Sequence, residues 1–341
     1  MPKSIRVGVI THSRGPHLEL YLAGLAATAE VEGVTIADAS GDTTAAARKI
    51  LGKKFQGAVK DYRDLLRKNP PAMALVTMEA SLSPPAIDAA LDAGCHVLSE
   101  KPACVRVEDF EKLARKADQK HLHLMLALAN RIHAPVAEAR RIVNKKQLGK
   151  IYAMEIHIVA DQTRLTRPAY HKQWTAIRAR AGGGHLIWLG IHWLDLAMHI
   201  TGLRVQEVAG FAGVVGGQPI DVEDSAAIAL NFGERTFGTM ISGYYLDRGY
   251  HSHIKIWGEH GWLRLASIED EPLEWHNNRD GKLQRIPYPK GDRGYTPFVR
   301  AAVRSSAGLE AAPITAADGV QVLKTIFAAY RAAQTGRTQK V

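Results

Sequence analysis

From Ile5 to Leu128 short runs of aliphatic residues alternate with stretches whose apolar positions recur at helical spacing. IRVGVI leads into LELYLAGLAATAE, GVTIADA into TTAAARKILG and AVKDYRDLLRKN, AMALVTM into PAIDAALDAG, and HVLSE into VEDFEKLARKADQK, before the series closes on LHLMLAL. Near-continuous apolar strands separated by amphipathic helices predict a parallel sheet covered on both faces. Right-handed crossovers wind such a sheet into a doubly wound, nucleotide-binding Rossmann fold. After NKKQLGK the rhythm changes. From Ile151 strand-like runs follow one another (IYAMEIHIVA, VQEVAGFAGVV, SAAIALNF, TFGTMISGYYL, HIKIWG, WLRLAS), most joined by GG, GE or EHG turn signals. This predicts a second α/β domain built on a mainly antiparallel sheet. A last helix, from about Ala316 to Thr335, follows Pro313 and carries Val320, Leu323, Ile326, Phe327 and Tyr330 at helical spacing. The expected division is 1–128 for dinucleotide binding and 129–341 for substrate binding and oligomerisation, with the last helix a candidate to pack back on the first domain.

A chain of 341 residues suits two such domains. At 46% hydrophobic and 23% charged it belongs to neither a disordered nor a fibrous class. The start, MPKSIRVGVI, lacks a signal-peptide pattern and no apolar run is long enough to span a bilayer, so a cytoplasmic protein with no membrane partner is expected. Cys95 and Cys104 make neither a disulfide framework nor a zinc knuckle. The net charge of +10 is scattered in ones and twos, which argues for a solvated surface rather than a nucleic-acid face. One local exception is the segment 161–180, where Arg164, Arg167, Lys172, Arg178 and Arg180 outnumber the single acid. That segment reads either as ordinary surface or as a site for an anionic group on the substrate.

The turn after the first strand is Thr11-His12-Ser13-Arg14-Gly15-Pro16, where a dinucleotide fold usually places G-x-G-x-x-G so that backbone amides approach a pyrophosphate at the helix N-terminus. Only Gly15 of that turn is glycine. The second strand ends on Asp38, placed to accept from adenosine ribose hydroxyls or to serve as an ordinary helix-capping aspartate at a strand end. No arginine follows at Ala39 or Ser40 to take a 2′-phosphate, which favours NAD over NADP. Further along, AGGGHLIWLGIHWLDL sets His185, His192 and Asp195 in an apolar run, and such groups inside a core require a partner or a task. His192 and Asp195 share a helix face, so the carboxylate is placed to accept from the imidazole and fix its tautomer. His185 reads as a substrate-hydroxyl donor beside Trp188 or as a core histidine bonded to a main-chain carbonyl. These histidines with His251-x-His253 do not form a zinc pattern, and no metal is expected. Tyr244, Tyr245 and Arg248 are candidates for the substrate pocket or a subunit interface.

At GCHVLSEKPACVRVEDFEKLA the chain resembles the glucose-fructose oxidoreductase and inositol dehydrogenase family. The resemblance extends over DYRDLL, Glu100-Lys101-Pro102, Asn130-Arg131, Leu148-Gly149-Lys150-Ile151, Trp174 before the glycines, GIHWLDL, Asp318-Gly319 and Tyr330. It implies a Rossmann domain followed by an α/β domain whose open sheet packs against another subunit, as a homodimer or homotetramer. It further implies a nicotinamide cofactor and a sugar, cyclitol or glycoside substrate. The family's catalytic lysine maps onto Lys101 and its acid/base histidine onto His192. Candidate cofactor contacts are Thr11, His12, Ser13, Arg14, Gly15, Asp38, Glu100, Lys101 and Asn130, and candidate substrate contacts are Trp174, His185, Trp188 and Asp195. The chain departs from the family at the glycine turn, at Met78–Ser83, which ends on serine where histidine is usual, and at Trp188, which stands where many members carry aspartate. Hydride transfer from a secondary alcohol needs a group that takes the hydroxyl proton, and imidazole, with a pKa of about 6.5, suits it. Two other readings stay open: NAD-assisted cleavage or hydration of a glycoside without net redox change, and a sugar- or NAD-sensing regulator.

Overall fold

The computed structural model describes residues 4–13, 15–266, 271–287 and 294–341. Its contacts divide it into two compact units. The first comprises Met1–Ala129, Ala179–Ala181 and Asp292–Val320, and the second Asn130–Arg178, Gly182–Gly291 and Gln321–Val341.

The first unit carries six strands, β1 (Ile5–Thr11), β2 (Val31–Asp38), β3 (Phe55–Val59), β4 (Met73–Thr77), β5 (His96–Ser99) and β6 (Leu124–Leu126), in the order β3-β2-β1-β4-β5-β6. All pair in parallel. This is the doubly wound order, with its topological switch between β1 and β4. β4 is buried at every position and β1 at nearly all, as strands covered on both faces must be. Gly24 shows how closely the covering helices dock. A Cβ there would stand 2.9 Å from Cβ of Val299, so glycine is what lets the helix Leu18–Ala27 lie against the helix Tyr295–Ser306. β3 forms a strand of its own, only partly contained in the run AVKDYRDLLRKN.

The second unit carries β7 (Ile151–Asp161), β8 (Glu207–Gly213), β9 (Ser225–Asn231), β10 (Phe237–Leu246), β11 (Tyr250–Gly258), β12 (Gly261–Leu265), β13 (Leu273–Asn277), β14 (Leu283–Ile286) and β15 (Gln339–Lys340). They form one nine-stranded sheet in the order β14-β13-β12-β11-β7-β10-β9-β8-β15. Every neighbouring pair is antiparallel except β7 with β10, which run parallel at its centre. Met154, Ile156, Ile158, Met240, Ile254 and Ile256 are buried on one face, where the helix Ile191–Thr201 packs on β7 and β11. The other face is open. There Phe211 is 80%, Phe237 57% and Ile241 38% exposed. Ala209, Ala227, Ala229 and Thr239 line, with Phe211 and Ile241, an open hollow of about 540 Å³. The expected last helix runs from Ala316 to Thr335, its residues through Val320 grouped with the first unit and the rest with the second. Among the described residues no helix is long and apolar enough to cross a membrane.

Candidate active site

In the first unit the turn after β1 is held by its neighbours rather than by glycine flexibility. Thr11 Oγ1 donates to the Thr77 carbonyl at 3.1 Å and Thr77 Oγ1 to the Pro16 carbonyl at 2.5 Å, tying both ends of the turn to β4. Gly15 is needed for space. A Cβ there would lie 2.1 Å from Thr11 Oγ1 and 2.8 Å from the Thr77 carbonyl. His12 accepts at Nε2 from the Glu79 amide at 3.2 Å, and burial lowers its pKa, so the ring is neutral. Ser13 and Gly15 line a cavity of about 410 Å³ with His17, Asp42 and Thr43, beside the N-terminus of the helix Leu18–Ala27. Arg14 lies outside the described residues.

At the end of β2, Asp38 is 2% exposed and accepts four hydrogen bonds. Oδ1 takes the amide and hydroxyl of Ser40 at 3.0 and 2.8 Å, and Oδ2 those of Thr43 at 3.0 and 2.8 Å. Burial alone would raise its pKa; the bonds from Thr43 and Ser40 outweigh it and hold the carboxyl below the usual range. A carboxylate has about four lone-pair sites, so Asp38 acts first as the cap of this turn.

β5 delivers Glu100 and Lys101, which are 1% and 2% exposed, with the Lys101–Pro102 peptide cis. Lys101 Nζ lies 3.9 Å from Glu100 Oε1. Glu100 Oε2 accepts a short hydrogen bond from the Tyr21 hydroxyl and lies 3.2 Å from His17 Nδ1. Tyr295 packs on both rings at 5.0 Å. Burial, then the Glu100 charge, pushes the Tyr21 and Tyr295 hydroxyls well above their ordinary range, so each stays protonated. Glu100 Oε1 accepts no hydrogen bond among the described residues, although buried.

In the second unit the glycines end against Glu223, a residue that the reading of the sequence did not single out. Its carboxylate accepts from the Gly184 amide at 2.8 Å, the Leu186 amide at 3.0 Å and the Tyr330 hydroxyl at 2.8 Å. Burial raises its pKa, which these bonds partly offset. Gly184 admits no side chain, because a Cβ would fall 1.8 Å from the Glu223 carbonyl oxygen. From this clamp the chain makes a π-helical turn, Leu186–Gly190, and runs on into the helix Ile191–Thr201. Such turns are frequent at functional sites. Gly190 lets this start lie close to β10, since a Cβ would stand 2.9 Å from Met240 Cε and Ser242 Oγ.

His192, half-buried, is the second residue of that helix. Asp195, 1% exposed, is gripped by Arg131 in a fork, Nε to Oδ2 at 2.8 Å and Nη2 to Oδ1 at 2.6 Å. The pair ties the helix to the turn Ala129–Ile132, which also contains Asn130. Trp174 and Trp188 meet edge to face at 5.4 Å. His185 is wholly buried, lies 2.6 Å from Ser242 Oγ through Nδ1, and packs edge-on against Tyr244 at 4.3 Å. Its partner at Nδ1 is thus a side-chain hydroxyl, not the main-chain carbonyl of one of the two readings that the sequence leaves open. Burial pushes its pKa down to about 3, with Arg164 adding to the fall, so the imidazole is neutral near pH 7.

The cationic segment divides. Arg180 pairs with Glu79 through both guanidinium edges, with Nε to Oε2 at 2.7 Å. Arg178 donates to the Asp221 carbonyl at 3.1 Å and lies over the Tyr330 ring. Arg164 lies over the Tyr244 ring, 5.3 Å from its centroid. His253 pairs with Glu155 at 3.0 Å and stacks on His157, and among the described residues no three histidine, cysteine or acidic side chains are grouped as a metal would require.

A doubly wound sheet with a buried lysine at the end of β5, followed by a unit that presents a histidine at the head of a helix, defines a nicotinamide-dependent oxidoreductase. The family comparisons agree with this class. A model described as the oxidoreductase family, NAD-binding Rossmann fold, matches residues 5–128, and one described as the GFO/IDH/MocA C-terminal domain matches residues 136–264. The chain belongs to this GFO/IDH/MocA oxidoreductase family. It is 27% identical over 209 residues to an uncharacterized oxidoreductase of Schizosaccharomyces pombe, covering 60% of this chain and 55% of that protein. It is 20% identical to the myo-inositol 2-dehydrogenase of Thermotoga maritima, covering 90% of each. The levoglucosan dehydrogenase solved with NADH and levoglucosan shares its fold with a TM-score of 0.87 at 18% identity, over 98% of this chain and 99% of that one.

Proposed function

We propose that this oxidoreductase transfers hydride between NAD(H) and a secondary alcohol or ketone of a sugar, cyclitol or glycoside, with His192 moving the hydroxyl proton and Lys101 donating to the same oxygen. The observation that carries the reading is a lysine only 2% exposed at the carboxyl end of β5, in a sheet of dinucleotide-binding order. The residues of the first unit fit the cofactor. The cavity beside the helix N-terminus suits a phosphate-bearing group, and the buried Glu100 Oε1, which accepts no hydrogen bond among the described residues, suits a ribose hydroxyl. Bound NAD supplies the hydride acceptor. The chain's own part is to stabilise charge on the substrate oxygen through Lys101 and to hold or release its proton at His192. The first unit, which holds 1–128 together with Asp292–Val320, is assigned to the cofactor and the remainder of 129–341 to the substrate, the contacts of which are drawn from Trp174, His185 and Trp188. The test is NADH formation by the purified protein across a panel of sugars and cyclitols. Turnover of a glycoside with no demand for external NAD would instead favour the non-redox reaction.

NAD is preferred to NADP on this reading, because Asp38 places negative charge where a 2′-phosphate would have to sit. Asp38→Ala is expected to act twice. It strips the turn of its four-bond cap, lowering stability by about 1–3 kcal/mol in urea unfolding, and it narrows the difference between NAD and NADP dissociation constants. Tighter binding of NADP to the unaltered protein would remove the assignment.

The open face of the nine-stranded sheet is proposed to pair with a second copy of the chain. Exposed apolar rows of this kind mark association surfaces. Ile241→Glu, on that face, is expected to shift the oligomer toward monomer in light scattering; an unchanged mass would move the interface elsewhere.

A further inference from the structure

Arg164 is the cation of the segment 161–180 whose setting asks for a ligand. It is half-buried, and its guanidinium lies over the Tyr244 ring at 5.3 Å. Among the described residues no carboxylate stands within ion-pair distance of it, whereas Arg180 is matched by Glu79 and Arg178 approaches Glu223 at 3.9 Å. The charge is felt by the buried groups around it, since it disfavours protonation of His185 and favours ionisation of Tyr170 and Tyr244. The second observation is independent. His185, 0% exposed, bonds Ser242 Oγ through Nδ1, while its Nε2 makes no hydrogen bond among the described residues. Such a buried nitrogen costs stability unless something enters to meet it.

We infer that Arg164 and His185, both packed against Tyr244, form a subsite for a carboxylate carried by the sugar substrate. In this subsite Ser242 would donate to Nδ1 and the ring proton of His185 would sit on Nε2, so that the pair presents a guanidinium fork and one neutral N–H. That donor set matches two coplanar oxygens of charge −1. A phosphate dianion would call for a second cation beside Arg164. The tyrosine ring carries the guanidinium in a setting less hydrated than open surface, which strengthens its attraction for an anion.

The inference rests on the oxidoreductase reading, and the experiment separates the two. The full chain with NAD is given paired substrates, glucuronate against glucose and galacturonate against galactose, with a hexose phosphate as a third arm. Each acid is expected to exceed its neutral parent in kcat/KM. That ratio should fall by about 10²-fold in Arg164→Gln, and by less in Arg164→Lys, which keeps the charge but not the planar fork. Calorimetric binding of glucuronate to the NADH-loaded protein should weaken in parallel. Equal acid-to-neutral ratios in the unaltered protein and in Arg164→Gln overturn the subsite, as does preference for the hexose phosphate over the hexuronates. Turnover of neutral sugars or cyclitols with the acids excluded overturns the subsite alone. Absence of NAD(H) binding together with absence of turnover across the panel overturns both the subsite and the reading beneath it.

Discussion

Replacing His192 with asparagine is expected to lower kcat by about 10² to 10⁴, the usual worth of general acid/base catalysis, while folding and NAD binding persist. Asparagine keeps a polar side chain of similar reach but cannot titrate near neutral pH. The helix beneath it is anchored independently of the imidazole, by the Arg131 fork on Asp195 and by the close seat of Gly190 on β10. The loss should therefore fall on kcat and leave the unfolding midpoint in place. Lys101→Ala is expected to be as damaging to turnover, yet the double variant should lose less than the product of the two, because both groups act on one oxygen. Near-normal turnover by His192→Asn, under conditions where chemistry limits kcat, would assign the proton to another group.

The other large effect is expected at Glu223. Glu223→Ala strands two amides and one hydroxyl in the interior, all of them now paired at 2.8 to 3.0 Å. Leaving buried donors unmet costs about 1–3 kcal/mol each, with part recovered by relaxation or water. A loss of about 3–5 kcal/mol follows, or a fall in Tm of roughly 10 °C. Glu223→Gln keeps the shape but turns one oxygen into a donor facing donors, so it should recover only part of the loss. Tyr330→Phe removes one of the three bonds and should cost about 1 kcal/mol. Because the clamp stands at the head of the turn that leads to His192, kcat should fall in the order Tyr330→Phe, Glu223→Gln, Glu223→Ala, measured below each variant's unfolding transition. Full activity in Glu223→Ala would detach the clamp from catalysis.

Much of this architecture is legible in the pattern of apolar positions. The helix Ala316–Thr335 lies where its spacing and Pro313 place it, and six strand-like runs after Ile151 correspond to β7 through β12. β13, β14 and β15 escape because LEWHN, LQRI and QK are short and polar, and they owe their extended form to the neighbours they pair with. The site is less legible where its logic is non-local. In DVEDSAAIAL, Glu223 resembles a solvated turn acid, and its burial is decided by partners 39 and 107 positions away. Arg180 counted toward a cationic cluster in sequence, yet its partner Glu79 lies 101 positions earlier. Asp38 was ambiguous for the opposite reason. Its capping partners Ser40 and Thr43 are local and visible, but a strand-end acid in this fold has two physically sound uses.

The parallel contact of β7 with β10 bears on how the second unit comes to exist. Parallel neighbours cannot be joined by a hairpin, so this central pair forms only when all the chain from Gln162 to Thr236 has been brought back on itself. That enclosed stretch contains the helix of His192 along with β8 and β9. Closing so long a loop precedes the contacts that reward it, which places the step among the slow ones in folding and gives the unit a high contact order. The helix of His192 is therefore cargo inside a long loop that the centre of the sheet must close, and a substitution that weakens the β7–β10 contact should slow refolding of the whole unit rather than fray one edge of it.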